Sequence, residues 1–376
     1  MKKLGLYIHI PFCRSKCLYC DFCSMPNPQA DKMEAYGAAL CRDLQACAQK
    51  AAEYTVDTVY VGGGTPTVLP IGTLTEILRT VYRCYRVSPN AEITAECNPG
   101  TGDANYFSAM RRAGFNRLSI GLQSAHREEL RALGRIHSFT DFEMTVAAAQ
   151  RAGFENISAD VMSGIPHQTS QSYLQTLERL IALSPQHISA YGLTVEEDTP
   201  FGRMGERLVL PDEEAARQMY FAGAELLESA GYRQYEISNF AREGYESAHN
   251  LKYWNCEEYL GFGVAAYSDF DGSRFGNGRA VDAYIKGENV EIEREYPSDN
   301  DRMNEYVMLR MRLREGVCED RFLHRFGTSF LKTFGSVLSP YVAHGLVRLD
   351  AHGAAFTREG MYVSNAVLSE ILNFDA

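Results

Sequence analysis

Six short β-rich runs, each separated from the next by a stretch with helical spacing, limit what this chain can become: LGLYIHI (4–10), TVYV (58–61), AEITAE (91–96), RLSIGL (117–122), ISADVM (157–162) and HISAYGL (187–193). Strands alternating with helices build βα units and a parallel sheet. The intervening stripes, such as Tyr36, Leu40, Leu44, Cys47 and Ala51, or Leu74, Leu78, Val81, Tyr82 and Tyr85, repeat apolar residues at helical steps. They are expected to cover the sheet and to carry no chemistry. Six units without a seventh and eighth predict an α/β fold, an incomplete (β/α)6 barrel over 1–240. Its site should lie on the loops at the carboxyl ends of the strands.

Beyond the strand-like YRQYEISNF (232–240) the pattern changes. An aromatic and glycine-rich extension covers 241–298. A small, mainly helical, winged-helix-like domain is expected over 299–376, with a charged helix near 299–315 and a two-stranded wing at GLVRLDAHGAAFTREG.

Charge excludes one class of partner. Lys and Arg total 37 against 48 Asp and Glu, a net charge of −11 that repels a phosphate backbone, so no nucleic-acid partner is expected. The start, MKKLGLYIHIPFCRSK, is broken by His9, Pro11, Arg14 and Lys16 before a secretory core forms. No apolar run approaches the ~20 residues of a membrane span. A soluble, cytoplasmic protein is expected.

Four of the ten cysteines fall between positions 13 and 23, and the rest are scattered. Local clustering reads as metal binding rather than as a disulfide framework. Cys13, Cys17 and Cys20 directly follow the first strand, so one short loop can wrap three thiolates around a single inorganic object. Three thiolates on a [4Fe-4S] cluster leave one iron open to chelate S-adenosylmethionine (SAM) and pass it an electron, giving methionine and a 5′-deoxyadenosyl radical. The alternative is a zinc site completed by Cys23.

Polar residues at strand ends supply candidates for holding such a ligand. Gly62, Gly63 and Gly64 end the second strand and allow close backbone approach, with Thr65 adding a hydroxyl. Glu96, Gln123 and Asp160 recur on the next three strands; each alone reads as a satisfied core polar group, and it is their recurrence on successive strands that points to a ligand. Arg135 suits bidentate pairing with a carboxylate, or else a solvated helix end. Farther on, His249 beside Tyr253 and the chain's one tryptophan, Trp254, offers an axial ligand and flat surfaces for a haem, or alternatively a packed aromatic corner.

The loop CxxxCxxC is the radical SAM signature, and YIHIPFCxxxCxxCDF resembles the oxygen-independent coproporphyrinogen III oxidase group of that superfamily, most of all its haem chaperone branch. The resemblance implies a radical SAM barrel with SAM contacts at Tyr7, Gly63, Gly64, Thr65, Glu96, Gln123, Arg135 and Asp160, and with Tyr19 beside the cluster. That family can hold two SAM molecules, and some of these residues would serve the second one; whether this chain holds a second is left open. The oxidases carry a further cysteine where this chain has Phe22, and a longer segment before the cysteine loop. The chaperones carry an HNxxYW motif, found here as His249, Asn250, Tyr253 and Trp254. The chain departs from the chaperone pattern at Cys23, where asparagine is usual, and at Tyr267, where histidine is common.

The implied function is haem binding and delivery, with haem as cargo and with recipient apo-haemoproteins and an electron donor for the cluster as partners. A second copy of the chain and a membrane touched peripherally are further options. The other reading is a coproporphyrinogen III oxidase or dehydrogenase, or another radical SAM enzyme acting on a tetrapyrrole.

Overall fold

Each of the six β-rich runs forms a strand in the computed structural model, which describes residues 2–288 and 291–372. They are β1 (Lys2–Ile10), β2 (Tyr54–Gly63), β3 (Val87–Cys97), β4 (Arg117–Gln123), β5 (Asn156–Ser163) and β6 (His187–Gly192). They pair in chain order, every neighbour parallel, from β1 to β6. Helices α1 (Ala30–Cys47), α2 (Ile71–Cys84), α3 (Ala104–Ala113), α4 (Phe139–Arg151) and α5 (Ser170–Ala182) fill the connections.

Helix starts are written locally. The Asp103 side chain accepts from the Tyr106 N–H at the head of α3, and Ser138 with Asp141 and Thr169 with Ser172 close capping boxes on α4 and α5.

Period-two alternation gives the sheet two different faces. Leu4, Leu6, Ile8, Ile10, Val59, Val61, Ile93, Leu118, Ile120, Leu122, Ile157, Val161 and Ile188 are buried in one core with Leu40, Leu44, Leu74, Leu78, Phe107, Phe142 and Leu177 of the helices. Each such aliphatic side chain withdrawn from water contributes roughly 1.5–3 kcal/mol. Between them the other face carries Tyr7, His9, Tyr60, Glu92, Thr94, Glu96, Arg117, Ser119, Ser158, Asp160, His187 and Tyr191. The curled sheet thus encloses a polar lumen.

Neither edge pairs with the other, so the barrel stays open. At β6 two antiparallel strands are added, Asn239–Ala241 and Arg233–Gln234. YRQYEISNF, expected as one strand, is folded back on itself there: Tyr235 N–H donates to Asn239 O, and the Glu236 carboxylate accepts from Ser238 N–H. At the other edge β1 pairs in parallel with Tyr259–Phe262, followed by antiparallel Tyr267–Phe270, Ser273–Asn277 and Glu291–Glu295. The aromatic and glycine-rich extension therefore continues the sheet to twelve strands.

The charged helix near 299–315 is present as Asp299–Met311. It joins helices Glu319–Phe326, Phe330–Ala343, Arg358–Tyr362 and Ser364–Ile371 around a second core of Phe322, Phe330, Phe334, Leu338 and Phe356. The wing Val347–Asp350 with Gly353–Phe356 gains a third strand, Val317–Cys318. Residues 373–376 of this segment lie outside the described residues. Among the described residues no helix is long and apolar enough to cross a membrane.

Candidate cluster and cofactor site

Pro11 ends β1, and the chain enters the cysteine loop pinned on several sides. Phe12–Cys13 pairs with Met25–Pro26, and Gly64 N–H and Thr65 N–H donate to the carbonyls of Ile10 (2.8 Å) and Phe12 (2.7 Å). Leu18 N–H reaches Leu133 O at 3.0 Å, and Leu18 O accepts from Phe201 N–H at 3.0 Å. The loop is thus fixed between the end of β2 and the connections that follow β4 and β6.

Gly64 makes that junction possible. A Cβ there would lie 2.7 Å from both Ile10 O and Phe12 O, backbone atoms that cannot swing aside. Gly64→Ala is expected to cost about 2–3 kcal/mol and to lower the iron retained. Thermal unfolding and iron analysis unchanged from wild type would contradict this role.

Cys13 is buried and Cys17 and Cys20 are half-buried, and all ten cysteines are free thiols. Burial pushes the Cys13 thiol up, the Thr65 hydroxyl donating to its Sγ at 3.5 Å pulls it down, and Cys17 pushes it up again. Cys20 is raised by burial and then by Cys17 and Cys13. The three thiols therefore stand within electrostatic reach of one another. Among the described residues no three His, Cys, Asp or Glu side chains are set to grip a single ion, the arrangement the zinc alternative needs. A four-iron cluster asks something different, because each thiolate binds a different iron. The donor set here fits that group: three soft ligands on one pinned loop beside a guanidinium.

That guanidinium belongs to Arg135. It donates to Asn98 Oδ1 (2.7 Å) and Tyr19 OH (2.8 Å), while its Nε is buried without a partner. Burial works against its charge, and the fields of Tyr19, Cys17 and Cys20 more than offset this, so it stays a cation. Asn98 Nδ2 donates onward to Thr65 Oγ1 (2.7 Å), which closes a path from Arg135 to Cys13. Gln123 stands close by with φ +68°, and its Nε2 lies 3.1 Å from where a Cβ on Gly121 would sit.

A second group surrounds Glu96. Its Oε1 accepts from Tyr60 OH (2.8 Å) and its Oε2 from Gly63 N–H (2.9 Å). Gly63 has φ +102°, and an added Cβ would strike the His9 ring at 2.3 Å. Tyr7 stacks near Tyr60, with ring centroids 6.3 Å apart, and hydrogen-bonds His9 Nδ1. Asp160 accepts from Ser119 Oγ on the neighbouring strand.

Burial pushes Glu96 up to about 7. The folded chain then holds a proton that the unfolded chain, with an ordinary carboxyl value of 4.5, releases between pH 4.5 and 7. Stability should therefore fall as pH rises through that window, by at most on the order of 3 kcal/mol, and level off above it. Urea unfolding at several pH values should show a shallower fall for Glu96→Gln than for wild type. Equal slopes would exclude Glu96 as the source.

Below this group the lumen has a floor that the sequence reading missed. Arg117, buried, lies 3.9 Å from Glu92, whose carboxylate accepts the N–H groups of Ala248 and His249 at the head of the helix Ala248–Trp254. His187 bonds Ser158 Oγ (2.7 Å) and Tyr235 OH (2.8 Å). The available signal was the two-residue step along each strand, 92–94–96 on β3 and 117–119–121 on β4. Asn98, two residues past Glu96, was missed as well.

His249 is held on both ring nitrogens, Nδ1 by Thr58 Oγ1 (2.8 Å) and Nε2 by Tyr253 OH (2.8 Å). Burial, then Lys252 and Arg117, lower it to about 3, so the ring is neutral at physiological pH. The packed aromatic corner describes its surroundings here. Its partner Tyr253 lines a recess of about 450 Å³ beside the cysteine loop, with Tyr7, Phe22, Cys23, Tyr259, Tyr267 and Arg279; Asn250 and Trp254 do not line it.

A pinned three-cysteine loop at the mouth of an open parallel barrel, with polar side chains on successive strand ends, defines a radical SAM protein. Residues 7–180 match the Radical SAM superfamily model, and 298–363 match the HemN C-terminal domain. The chain is 34% identical to the haem chaperone HemW of Bacillus subtilis, over 97% of this chain and 98% of that protein. It is 37% identical to HemW of Escherichia coli, over 84% of this chain and 87% of that protein. A mitochondrial radical S-adenosyl methionine domain-containing protein 1 of Bos taurus is 37% identical over 72% of this chain and 61% of its own length. The fold is that of the E. coli coproporphyrinogen III oxidase HemN, with a TM-score of 0.88 at 22% identity over 99% of this chain and 90% of that one. The chain belongs to the HemW group of the radical SAM superfamily.

Proposed function

We propose that this protein binds haem and delivers it to apo-haemoproteins of the cytoplasm. On this reading Cys13, Cys17 and Cys20 hold a [4Fe-4S] cluster, and Tyr7, Tyr19, Gly63, Gly64, Thr65, Glu96, Gln123, Arg135 and Asp160 receive SAM. The cluster, when bound, supplies an open iron for the SAM amino and carboxylate groups and a route for one electron from an external donor. The chain's own residues position and exclude. Arg135 presents an unpaired Nε–H toward a carboxylate, Glu96 and Asp160 offer acceptors to hydroxyls, and Gly63 and Gly64 clear room for backbone approach.

The observation that carries haem binding is the aromatic recess beside the loop. A flat apolar macrocycle is best matched by ring faces, and four of the lining residues named above are tyrosines. His249 acts here as a positioning residue, since its bond to Tyr253 OH fixes that ring against Tyr259, 4.6 Å away and nearly perpendicular.

Anaerobic, cluster-loaded protein titrated with haem should give a Soret shift that saturates. Tyr253→Ala should weaken binding about tenfold. Absence of any Soret shift in the wild-type chain would overturn the reading. Appearance of a new tetrapyrrole by mass spectrometry, after incubation with SAM, reductant and coproporphyrinogen, would favour the oxidase alternative instead.

A further inference from the structure

We infer that a cavity between the barrel and the C-terminal helices binds a neutral, flat aromatic molecule bearing carbonyl acceptors, of the quinone class. The site lies apart from the cysteine loop, the SAM contacts and the aromatic recess, and its occupancy is independent of the haem-delivery reading.

The cavity measures about 360 Å³, far above the water-sized voids of a packed interior and within the range of small-molecule pockets. It opens on the outer side of the sheet. His187 and Tyr191 of β6 face the lumen, so Ala190 and Gly192, which line the cavity, fall by period-two alternation on the opposite face. The barrel side supplies Tyr173 at the start of α5, Tyr220 and Leu227 of the helix Glu213–Ser229, and Phe240 beside β6. The C-terminal helices supply Met361, Tyr362 and Asn365, and Tyr362 meets Tyr220 with ring centroids 5.3 Å apart.

The lining selects the class of ligand. Among the described residues no Asp, Glu, Lys, Arg or His lines this cavity, in a chain that is 23% charged. An ion placed there would find no counter-charge, which favours a neutral occupant. The walls are ring faces and aliphatic groups, and these match a flat apolar ring. The polar groups among them are chiefly hydroxyls. Tyr173 is 3% exposed and lines the cavity, yet its OH has no hydrogen bond among the described residues. Burial alone raises this phenol, with no partner or charge contributing. Tyr220 OH accepts from Gln234 Nε2 at 3.4 Å, which leaves its own proton to donate. Two phenol donors on one apolar space call for acceptors, and carbonyl oxygens on a planar ring provide them without charge. Gly223 sets one of these donors in place. A Cβ there would lie 2.8 Å from Tyr173 Cε1, so glycine lets the helix approach that ring.

The test is calorimetric titration of the full, cluster-loaded chain with duroquinone, whose fully methylated ring does not add to free cysteines. Binding with a Kd on the order of 10–100 µM is expected. Tyr173→Phe keeps the ring and removes only an OH that bonds nothing in the chain. It should unfold at the wild-type midpoint and bind duroquinone about tenfold more weakly. Ala216→Phe, which fills the cavity from the helix Glu213–Ser229, should abolish binding. Both variants should keep wild-type iron, sulfide and SAM affinity, and Tyr253→Ala, in the haem recess, should bind duroquinone as the wild-type chain does. Absence of duroquinone binding to the wild-type chain, or wild-type affinity in either cavity variant, overturns the site. Equal or tighter binding of a naphthalenesulfonate overturns the neutral class assigned to it. Haem binding is read separately by the Soret titration and stands or falls on its own.

Discussion

Cys17→Ser is expected to leave the chain essentially without iron while it remains folded. Cys17 is half-buried at the outer turn of the loop, and its N–H and side chain are not among the contacts that pin that loop. The pins are made by Ile10, Phe12, Leu18 and Met25, and all survive the substitution. A serine hydroxyl does not ionise near neutral pH and is a hard donor, so a cluster gripped at two corners would be lost during purification. Iron and acid-labile sulfide should fall from about four each per chain to near zero, with thermal unfolding of the apo form shifted little. Wild-type iron content in Cys17→Ser would remove this thiol from the ligand set.

Arg135→Met should cost at least roughly thirtyfold in SAM affinity, because truncating one partner of a buried charged contact typically costs 2–5 kcal/mol. The side chain sits where the cysteine loop, Asn98 and Tyr19 meet, and its unpaired buried Nε is a donor in want of an acceptor. Some loss of stability, about 1–3 kcal/mol, is expected as well, since Asn98 Oδ1 and Tyr19 OH each lose their donor. Arg135→Lys separates the two effects. It keeps the charge and loses the planar fork, so affinity should recover only in part. Calorimetric titration of cluster-loaded protein reads this directly, and equal SAM affinity in Arg135→Met and wild type would exclude the contact.

Much of this site was legible in one dimension, and the reasons are local. Period-two alternation along runs such as AEITAE sends Ala91, Ile93 and Ala95 into the helix-covered core and leaves Glu92, Thr94 and Glu96 for the lumen. That rule places all six strands and aims Glu96 and Asp160 inward. The cysteine loop is readable for the same reason, since its three thiols and the Pro11 stop lie within ten residues.

What stayed hidden depends on contacts far apart in the chain. The meaning of His249 is fixed by Thr58, 191 residues away, which occupies the nitrogen that an isolated motif leaves free. The extension around Tyr259–Phe262 forms strands because β1 offers an open edge, not because GFGVAAYS has a strong preference of its own. YRQYEISNF folds back because Asn239–Ala241 pairs with β6. Asn98 was passed over because a single amide gains its role from Thr65 on one side and Arg135 on the other, residues brought together only by neighbouring strand ends.

Whether three thiolates leave one iron corner available to SAM can be read from EPR of the anaerobically reconstituted, reduced protein, recorded before and after SAM is added. A reduced four-iron signal whose g-values and line shape change when SAM binds is expected. An iron-free spectrum, or a cluster signal indifferent to saturating SAM, would contradict the open corner.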